Sequence, residues 1–356
     1  MVYDFVIIGG GIAGLSVGSR LCNFGSVCVL ESEDVIGYHA SGRSAAMFLE
    51  NYGNDIVVEL NKASAQYHKA GGYLSDRGLM SLARAQDKEV FLNELDDLAL
   101  TQISIEEASK LLPIINKKTV KYASFLKEAP EIDTDKVLQD FAKNIRRNQG
   151  VINTKAKAKK ISKTSKSWQV STELGIYEGT VLINAAGSWV DEIAAMAEVV
   201  PLNFTPMRRS IARVPAPDSD TGKFPMTHGA GDRWYAKPDA GAWLISPCEE
   251  ELMFPHDAYA DDIILAEGID RYVEMMNHKI TKMHTNWAGL RTFSPDRALV
   301  IGFDNSVENF FWFAGQGGYG FQTAPAASLL ASELILNKSI SFSKDLVKGL
   351  SPSRFY

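Results

Sequence analysis

The stretch VYDFVIIGGGIAGLSVGSRLCNFGSVCVLE, residues 2–31, decides the fold of the first part of the chain. Its opening residues are apolar and rich in β-branched side chains, as expected of a buried parallel strand. Residues 12–24 follow with the spacing of a helix that packs on a sheet, and Gly25 ends it. A second apolar strand, SVCVLE, then ends on Glu31. The stretch therefore predicts a strand–helix–strand unit of a parallel sheet.

Three glycines stand between the first strand and the helix in the pattern G-x-G-x-x-G. Gly9, Gly11 and Gly14 permit a tight turn and close approach of a ligand to the backbone, and the start of the helix attracts a pyrophosphate. Glu31 is placed to accept hydrogen bonds from a ribose 2′-hydroxyl and to repel a 2′-phosphate. The unit predicts a dinucleotide site formed by Gly9, Gly11, Ile12, Ala13, Gly14, Glu31 and Ser32.

The composition is ordinary for a globular protein and gives no sign of a nucleic-acid or metal partner. The 356 residues suit two domains, and 46% of them are hydrophobic and 22% charged. A net charge of −6 does not favour binding to nucleic acid. The histidines show no H-x-x-H or H-E-x-x-H spacing, so we expect no metal site.

The location of the protein can be addressed from its apolar segments and its cysteines. No run of residues reaches the length of a transmembrane helix. The opening MVYDFVIIGG lacks the cationic region and the cleavage site of a secretory signal. Cys22, Cys28 and Cys248 show no C-x-x-C pairing. We expect a cytoplasmic protein; docking at a membrane surface is compatible with these features but is not indicated by them.

Later segments of the sequence show two kinds of pattern. Residues 133–150 predict a capped helix, whereas 179–189 and 310–336 each predict a buried strand, a glycine turn and a helix. Residues 71–130 and 201–285 carry alternating, aromatic-rich segments that suit antiparallel strands. The interpretation is a mixed α/β (α+β) fold with two discontinuous domains. These are a Rossmann-like dinucleotide-binding domain of residues 1–70, 133–200 and 286–356, and an antiparallel-sheet substrate domain of residues 71–132 and 201–285.

The segment GYHASGRSAAMF, residues 37–48, bears on the kind of dinucleotide. A nicotinamide enzyme would continue into further strand–helix units, but this chain reaches a small, polar, cationic turn and later two glycine turns, NAAGSW and GQGGYGFQ. Such turns suit the wrapping of one long ligand at several points. The chain resembles the D-amino acid oxidase/glycine oxidase superfamily of FAD-dependent oxidoreductases, and within it the bacterial D-amino acid dehydrogenases of the D-arginine dehydrogenase type. The blocks that carry this resemblance, in order and over nearly the whole chain, are GYHASGRSAA, NAAGSWVDEIA, RRSIA, WYAKPDAG, HTNWAGLRTF and FFWFAGQGGYGFQT.

The resemblance implies that the dinucleotide is FAD, held without covalent attachment. In such proteins the Ser-Gly-Arg-Ser segment crosses beneath the flavin, and Arg43 can neutralise a phosphate or steady the turn. His39 stands broadly where some related enzymes attach flavin covalently, but the nearest resemblance is to enzymes that bind it non-covalently. The implied FAD contacts, beyond those of the first unit, are Ser41, Gly42, Arg43, Ser44, Ala45, Ala158, Gly187, Trp189, Gly318, Tyr319 and Gly320.

The resemblance also implies where a substrate binds. A planar guanidinium matches a carboxylate with two parallel hydrogen bonds, and the family places its carboxylate-binding arginine in the block that contains Arg291. Arg209 is the second candidate; Arg208 would point to the opposite face of a strand, so only one of the two should reach the site. The residues expected on the substrate side are Tyr52, Arg209, Tyr235, Arg291, Gly318 and Met47.

Two positions depart from the arginine-preferring pattern of these dehydrogenases. Met47 stands where that pattern has a histidine, and Leu79 stands where it has an acid that could meet a cationic side chain. A guanidinium facing a buried leucine would be an unpaired charge, which is costly. We therefore expect a weaker preference for D-Arg and D-Lys and a stronger one for apolar or small substrates.

The sequence favours one reaction and leaves others open. The favoured reaction is FAD-dependent oxidative deamination of a D-amino acid to an imino acid, by hydride transfer from Cα to the flavin N5. One alternative is oxidation of a secondary amine, such as an N-methylglycine or an opine, and another is oxidation of a 2-hydroxy acid. A flavin-binding module without turnover is a third. The electron acceptor, whether oxygen, a quinone or another carrier, is not specified by the sequence.

Overall fold

The computed structural model describes residues 2–217 and 221–356. The helices, in chain order, are α1 (Ile12–Leu21), α2 (Asp55–Ala70), α3 (Lys88–Asp97), α4 (Ile105–Leu111), α5 (Thr134–Arg147), α6 (Val190–Met196), α7 (Asp262–Met275), α8 (Gly320–Ile335) and α9 (Lys344–Leu350). The strands are β1 (Val2–Ile8), β2 (Val27–Leu30), β3 (Leu74–Ser75), β4 (Leu79–Ala83), β5 (Thr101–Ile103), β6 (Tyr122–Leu126), β7 (Glu131–Ile132), β8 (Val151–Asn153), β9 (Lys160–Lys163), β10 (Trp168–Thr172), β11 (Gly175–Asn184), β12 (Thr205–Pro215), β13 (Met226–Gly229), β14 (Trp234–Asp239), β15 (Ala242–Ser246), β16 (Glu251–Leu252), β17 (Thr285–Phe293), β18 (Val300–Phe303) and β19 (Phe310–Ala314).

The first sheet has the strand order β18-β19-β11-β1-β2-β8, and β10 and β9 extend antiparallel from β11. The strands from β19 to β8 are parallel to one another, and β18 is an antiparallel edge. The apolar runs of β1 and β2 and the helix between them confirm the strand–helix–strand unit that the sequence predicts. The carboxyl ends of β1, β2 and β11 meet at one edge of this sheet, where parallel sheets bind ligands.

Both faces of the first sheet are covered, which explains its nearly continuous apolar strands. On one face, α1 packs between α5 and α8, and Leu15, Phe141 and Leu330 are buried there. On the other face, Trp168 and Trp312 are buried beside α6.

The second sheet has the order β16-β12-β15-β14-β13-β4-β6-β5, with β17 paired to the other edge of β12. It is mostly antiparallel, and β13 and β4 form a parallel pair within it. A buried core of Trp234, Trp243 and Tyr272 lies between this sheet and α7. The mixed architecture agrees with the predicted fold class, in which a Rossmann-like part is combined with an antiparallel sheet.

Two segments differ from the sequence-based description. Residues 71–130 contain α3 and α4 besides short strands. Ser104 and Glu107 form a capping box that starts α4. β17 pairs with β12 along its whole length, from Phe293 opposite Thr205 to Thr285 opposite Arg213. Residues 286–293 therefore belong by hydrogen bonding to the second sheet, although the sequence assigned them to the dinucleotide-binding domain. The domain limits otherwise stay a prediction.

Within the residues that the structure describes, none of the helices combines the length and the apolar character needed to cross a bilayer.

Candidate functional site

Two adjoining cavities lie between the two sheets. The first, here called the nucleotide cavity, is lined by residues of β1, β2 and β11 and the loops after them, including Gly9, Glu31 and Trp189. The second, here called the inner cavity, is lined by the segment 40–52, by residues of the second sheet and by the turn before α8, including Arg291 and Gly318. Both cavities are bounded by Ala40, Ser41 and Leu290, so they form one elongated space.

The glycine turn after β1 is shaped by close backbone contacts. Gly9 has a φ of +110°, and a Cβ at this position would lie 2.4 Å from the carbonyl oxygen of Ala185. A Cβ on Gly14 would lie 1.9 Å from the carbonyl oxygen of Gly9, so the first turn of α1 can approach the loop only without a side chain there. Gly11 is the N-cap of α1. The loop thus presents backbone, with no side chains, toward the nucleotide cavity.

Glu31 is held in a fixed orientation at the rim of the nucleotide cavity. Its Oε2 accepts a 2.7 Å hydrogen bond from the amide of Gly10. Its Oε1 accepts one of 2.8 Å from the amide of Glu33 and one of 3.1 Å from the Ser32 hydroxyl. Ser32, expected to contact the cofactor, therefore also orients the carboxylate. A carboxylate in this position can accept hydrogen bonds from a ribose.

The segment after β2 wraps around the start of α1. The hydroxyl oxygen of Ser41 accepts a 3.0 Å hydrogen bond from the amide of Ile12, in the first turn of that helix. The amide of Gly42 donates to the carbonyl of Gly37 at 2.6 Å, and a Cβ on Gly42 would collide with the same carbonyl. The small residues predicted here are required by this tight packing.

Arg43 is bonded to other parts of the protein. Its Nη1 donates to the carbonyl oxygens of Ala288 at 2.7 Å and Ala258 at 2.9 Å, and its Nε donates to the carbonyl of Tyr38 at 3.3 Å. Its Nη2 forms an ion pair with Asp257. Of the two roles expected from sequence, this geometry supports steadying the turn, since the guanidinium is already occupied by protein acceptors.

The next residues of the segment are held by the second sheet. The amide of Ala46 donates to the hydroxyl of Ser44 at 3.2 Å, and Ala46 has a φ of 45°. The carbonyl oxygen of Ala45 accepts a 2.9 Å hydrogen bond from Nζ of Lys237, which also pairs with Glu131. Sequence reasoning missed this lysine, because a lone lysine on a strand carries no recognisable spacing.

The remaining residues expected to contact FAD separate into two groups. Ala158, Gly187 and Trp189 line the nucleotide cavity, and the ring of His39 lies 4.6 Å from the ring of Trp189, centroid to centroid. Gly318 and Gly320 line the inner cavity together with Ile12, Ser44 and Ala45. Residues that were expected to make contact but line neither cavity are Ala13, Gly14, Gly42 and Tyr319.

The side chain of Tyr319 points away from both cavities, so an FAD contact of this residue stays a prediction for its backbone. Its hydroxyl donates to the carbonyl of Arg297, and its ring packs against the rings of Tyr52 and Phe293. Only 5% of the residue is exposed. Because it follows the exposed turn formed by Gly317 and Gly318, its position in sequence does not reveal that the side chain turns into the core.

Arg291, Tyr52 and Tyr235 meet at the inner cavity from three different elements. Nη1 of Arg291 lies 3.5 Å from the hydroxyl of Tyr52, which is the only hydrogen bond of this guanidinium within residues 2–217 and 221–356. Burial disfavours the charge, but the nearby Tyr52, Tyr235, Cys248 and Glu250 together outweigh it, so the pKa of Arg291 lies above its ordinary value. Burial also raises the pKa of Tyr235, so its phenol stays neutral. A cation with unused donors beside two phenols suits a carboxylate.

The paired arginines of β12 point to opposite faces, as expected from strand alternation. Arg209 lines the inner cavity, and its Nη2 lies 3.4 Å from Oε1 of Glu250. Arg208 faces away and forms an ion pair with Glu251. Of the two, Arg209 is therefore the one with access to a ligand in the inner cavity.

One end of the inner cavity is apolar. Met47 and Leu79 lie there in a buried cluster, with Met226 and Leu98 packed against it. Both of the positions that depart from the arginine-preferring pattern thus meet at the same wall. Asp232 also lines the cavity but is exposed at its mouth, on the turn between β13 and β14.

His228 is a cavity residue that sequence reasoning missed. It lies on β13, two positions after Met226, and both side chains line the inner cavity. His228 is not part of an H-x-x-H or H-E-x-x-H pattern, so the spacing of the histidines does not indicate it. The signal that could have found it is the alternation M-x-H in the strand before the hairpin that carries Tyr235.

The two cavities fit an FAD molecule. Glu31 provides acceptors for ribose hydroxyls, and the glycine turn and the start of α1 provide amides for a pyrophosphate. Gly187, with a φ of +56°, has no atom within 4 Å of a Cβ built on it, so its backbone borders open space. The elongated shape continues from these groups past Ser41 to Gly318, as a long two-part ligand requires.

Comparisons with known proteins agree with this description. A family model described as FAD dependent oxidoreductase (DAO) matches residues 4–334. FAD-dependent oxidoreductase domain-containing protein 1 of Xenopus laevis is 26% identical over an alignment of 189 residues that covers 47% of this chain and 37% of that relative. L-proline dehydrogenase from P. horikoshii superposes with a TM-score of 0.84 at 21% identity, covering 99% of this chain and 98% of that one. Glycine oxidase from Geobacillus kaustophilus also has a TM-score of 0.84, at 17% identity, covering 98% of each chain.

Proposed function

Because the chain belongs to the FAD-dependent oxidoreductase family and its cofactor is FAD, we propose that it oxidises an amino acid at the bond between Cα and nitrogen. The substrate loses a hydride from Cα and a proton from nitrogen. Water then hydrolyses the imino acid to a 2-oxo acid and ammonia. When bound, FAD supplies the hydride acceptor, and an external acceptor such as oxygen, a quinone or another carrier takes the electrons onward.

The observation that carries this proposal is the cationic group of Arg291 between two phenols. Among the residues that the structure describes, its guanidinium has donors without protein partners, and it lies beside Gly318 at the end of the space that FAD would fill. A substrate carboxylate bound here by two parallel hydrogen bonds fixes Cα at a defined distance from the inner wall. The neutral phenol of Tyr235 donates a further hydrogen bond, and the hydroxyl of Tyr52 helps to orient Arg291.

The apolar wall of the inner cavity supports a preference among side chains. Met47, Leu79 and Met226 offer no acceptor to a guanidinium or an ammonium. Burial of such a charge without a partner is costly, so apolar and small substrates are preferred to arginine and lysine. We assign the D-configuration on the strength of the sequence blocks shared with D-amino acid dehydrogenases.

A secondary-amine substrate is the second candidate. It is favoured by the similarity in fold to L-proline dehydrogenase, whose named substrate carries a secondary amine. Such a substrate would use the same carboxylate site and needs space beside the nitrogen. We also propose a cytoplasmic location, because Cys22, Cys28 and Cys248 are buried free thiols, as is usual in a reducing compartment.

The experiment that tests the proposal follows the visible absorption of the flavin without oxygen. The purified holoenzyme is mixed with D- and L-amino acids, with sarcosine and proline, and with 2-hydroxy acids. Rapid bleaching by D-amino acids, with D-Leu and D-Met at least as fast as D-Arg, supports the proposal. Bleaching by N-alkyl substrates alone supports the secondary-amine candidate, and a strong preference for D-Arg contradicts the assignment of the apolar wall.

A further inference from the structure

His228 brings a polar ring into the apolar end of the inner cavity. Its neighbours on the same strand and across the adjoining strand, Met226 and Leu79, are both apolar and both line the cavity. Only 7% of His228 is exposed. A histidine in this position is expensive to bury unless its nitrogens bind something.

The ring nitrogens of His228 have no partner in the part of the chain that the structure describes. Nε2 is buried and makes no hydrogen bond there. Nδ1 makes no hydrogen bond to these residues either. Ser81 lies opposite His228 in the β4–β13 pair, but its hydroxyl donates to Glu94 at 2.8 Å. Buried polar side chains are normally hydrogen-bonded, so an unpartnered ring at a ligand cavity indicates a partner that comes with the ligand.

The order of the strands places His228 away from the carboxylate site. Arg291 lies on β17, and β12, β15 and β14 lie between that strand and β13. Neighbouring strands are about 5 Å apart, so four strand spacings separate the backbone at His228 from the backbone at Arg291. Tyr235 lies between them, directly opposite His228 in the β13–β14 pair. A substrate whose carboxylate is bound by Arg291 would therefore meet His228 with its side chain.

We propose that His228 is a specificity-determining residue that hydrogen-bonds an uncharged polar group, an amide or a hydroxyl, on the substrate side chain. The inference rests on the proposed oxidation of an amino acid and deepens it. The apolar wall accommodates the methylene part of the side chain, and the imidazole pairs with the polar end. A neutral imidazole offers one donor and one acceptor, which matches an amide or a hydroxyl.

The charges around the cavity favour an uncharged group. Asp232 at the mouth is an anion on the same side as β13 and would repel a side-chain carboxylate. A cationic side chain would lie against the buried Met47 and Leu79, whereas the acid of this side, Asp232, is exposed at the mouth and is not part of their cluster. The arginines that line the described cavity are Arg43, Arg209 and Arg291. Arg209 and Arg291 lie on β12 and β17, and Arg43 is bonded to the carbonyl of Ala288 in β17.

The test compares substrates that have the same shape but differ in polarity. Asparagine and leucine form one such pair, and glutamine and methionine form another; the enantiomer that reduces the flavin is used throughout. We expect wild-type enzyme to have a kcat/KM for the amide about tenfold or more above that for its apolar counterpart, since a missing hydrogen bond leaves buried polar groups unpaired. In His228→Leu this ratio should fall by about tenfold, while kcat/KM for leucine and methionine changes less than about threefold.

A second variant separates recognition from packing. His228→Gln keeps a donor and an acceptor near the position of the ring nitrogens, so it should retain a preference for the amide. Equal losses for amide and apolar substrates in His228→Leu, or a wild-type enzyme with no preference within the pairs, would overturn the inference while leaving the proposed reaction intact. Failure of every amino acid to bleach the flavin would instead remove the proposed reaction itself.

Discussion

At the scale of single residues, Arg291 carries the proposed recognition of a carboxylate. Its guanidinium is cationic, partly buried and has one long hydrogen bond, to Tyr52, among the described residues. We expect Arg291→Met to lower kcat/KM by about 100-fold or more, because two charge-assisted hydrogen bonds are lost. Steady-state kinetics with an artificial electron acceptor measures this change.

A matched control for Arg291 is Arg213, on the neighbouring strand. Arg213 pairs with Asp239 at 2.9 Å and does not line the inner cavity. Its replacement by Met removes a partly exposed ion pair, so kcat/KM should change by less than about twofold. If both variants lose activity equally, the loss in Arg291→Met reflects damage to the β12–β17 pair rather than substrate binding.

Tyr235 gives a prediction about pH. Burial raises the pKa of its phenol, so the proton stays on the oxygen well above the pH at which an exposed tyrosine ionises. Tyr235→Phe should lower kcat/KM by about three- to tenfold, and the ratio between wild type and variant should be constant from about pH 7 to pH 10. A ratio that approaches one near pH 10 would mean that the phenol ionises in this range. That result would contradict the role of Tyr235 as a neutral hydrogen-bond donor.

At the scale of elements, the turn between β1 and α1 determines whether FAD binds. Gly9→Ala would add a Cβ 2.4 Å from the carbonyl of Ala185 at a φ of +110°. Either the turn or the residues after β11 must move, which strains the backbone and displaces the groups of the phosphate site. We therefore expect the purified variant to contain less than about a tenth of the flavin of wild type. The ratio of the visible absorbance of the flavin to the ultraviolet absorbance of the protein measures the flavin content.

The control for Gly9 is Gly175, at the start of β11. It also has a positive φ, of +136°, but no atom lies within 4 Å of a Cβ built on it. Gly175→Ala therefore imposes the backbone strain without the collision, and it should retain its flavin. A similar loss in both variants would show that strain alone, and not the contact with Ala185, accounts for the effect.

The elements differ in how far the sequence predicts them. The unit of β1, α1 and β2 was predicted correctly because its signals, apolar runs and fixed glycine spacing, are local. α3 and α4 were missed because short amphipathic segments resemble alternating strands, and only caps such as that of Ser104 distinguish them. The pairing of β17 with β12 is a contact between residues about eighty positions apart, which no local pattern contains.

The site residues likewise divide into those that a local sequence pattern predicts and those that it does not. Gly9, Glu31 and Ser41 lie on or next to the predicted unit, and the structure brings them to one cavity. Arg291 was found through resemblance of a whole block, and the structure places it at the inner cavity. For His228 the sequence offers only the alternation M-x-H. Its importance arises from the residues that surround it and from the lack of a described partner for Nε2, which only the packed chain reveals.

At the scale of the whole molecule, the cofactor site joins the two sheets. The nucleotide cavity lies at the ends of strands of the first sheet and the inner cavity lies against the second sheet, and they share Ala40, Ser41 and Leu290. A ligand that binds only the folded chain stabilises it by mass action, by about 2.7 kcal/mol at a concentration 100 times its Kd. We expect the Tm of the apoprotein to rise steadily with added FAD, as measured by differential scanning calorimetry.

Riboflavin provides the comparison for this measurement. It lacks the pyrophosphate and adenosine that Glu31 and the start of α1 would bind, so it should raise the Tm much less at the same concentration. Equal stabilisation by the two compounds would contradict the placement of the adenosine half in the nucleotide cavity.

The anchoring of Arg43 has a consequence for how the holoenzyme is assembled. Its bonds to Ala288, Ala258 and Asp257 connect the segment under the flavin to β17 and to the loop before α7. These connections are internal to the protein and do not require the cofactor to be present. We therefore expect the segment that carries Arg43 to be in place in the folded apoprotein, so that FAD binds as a docking step after folding.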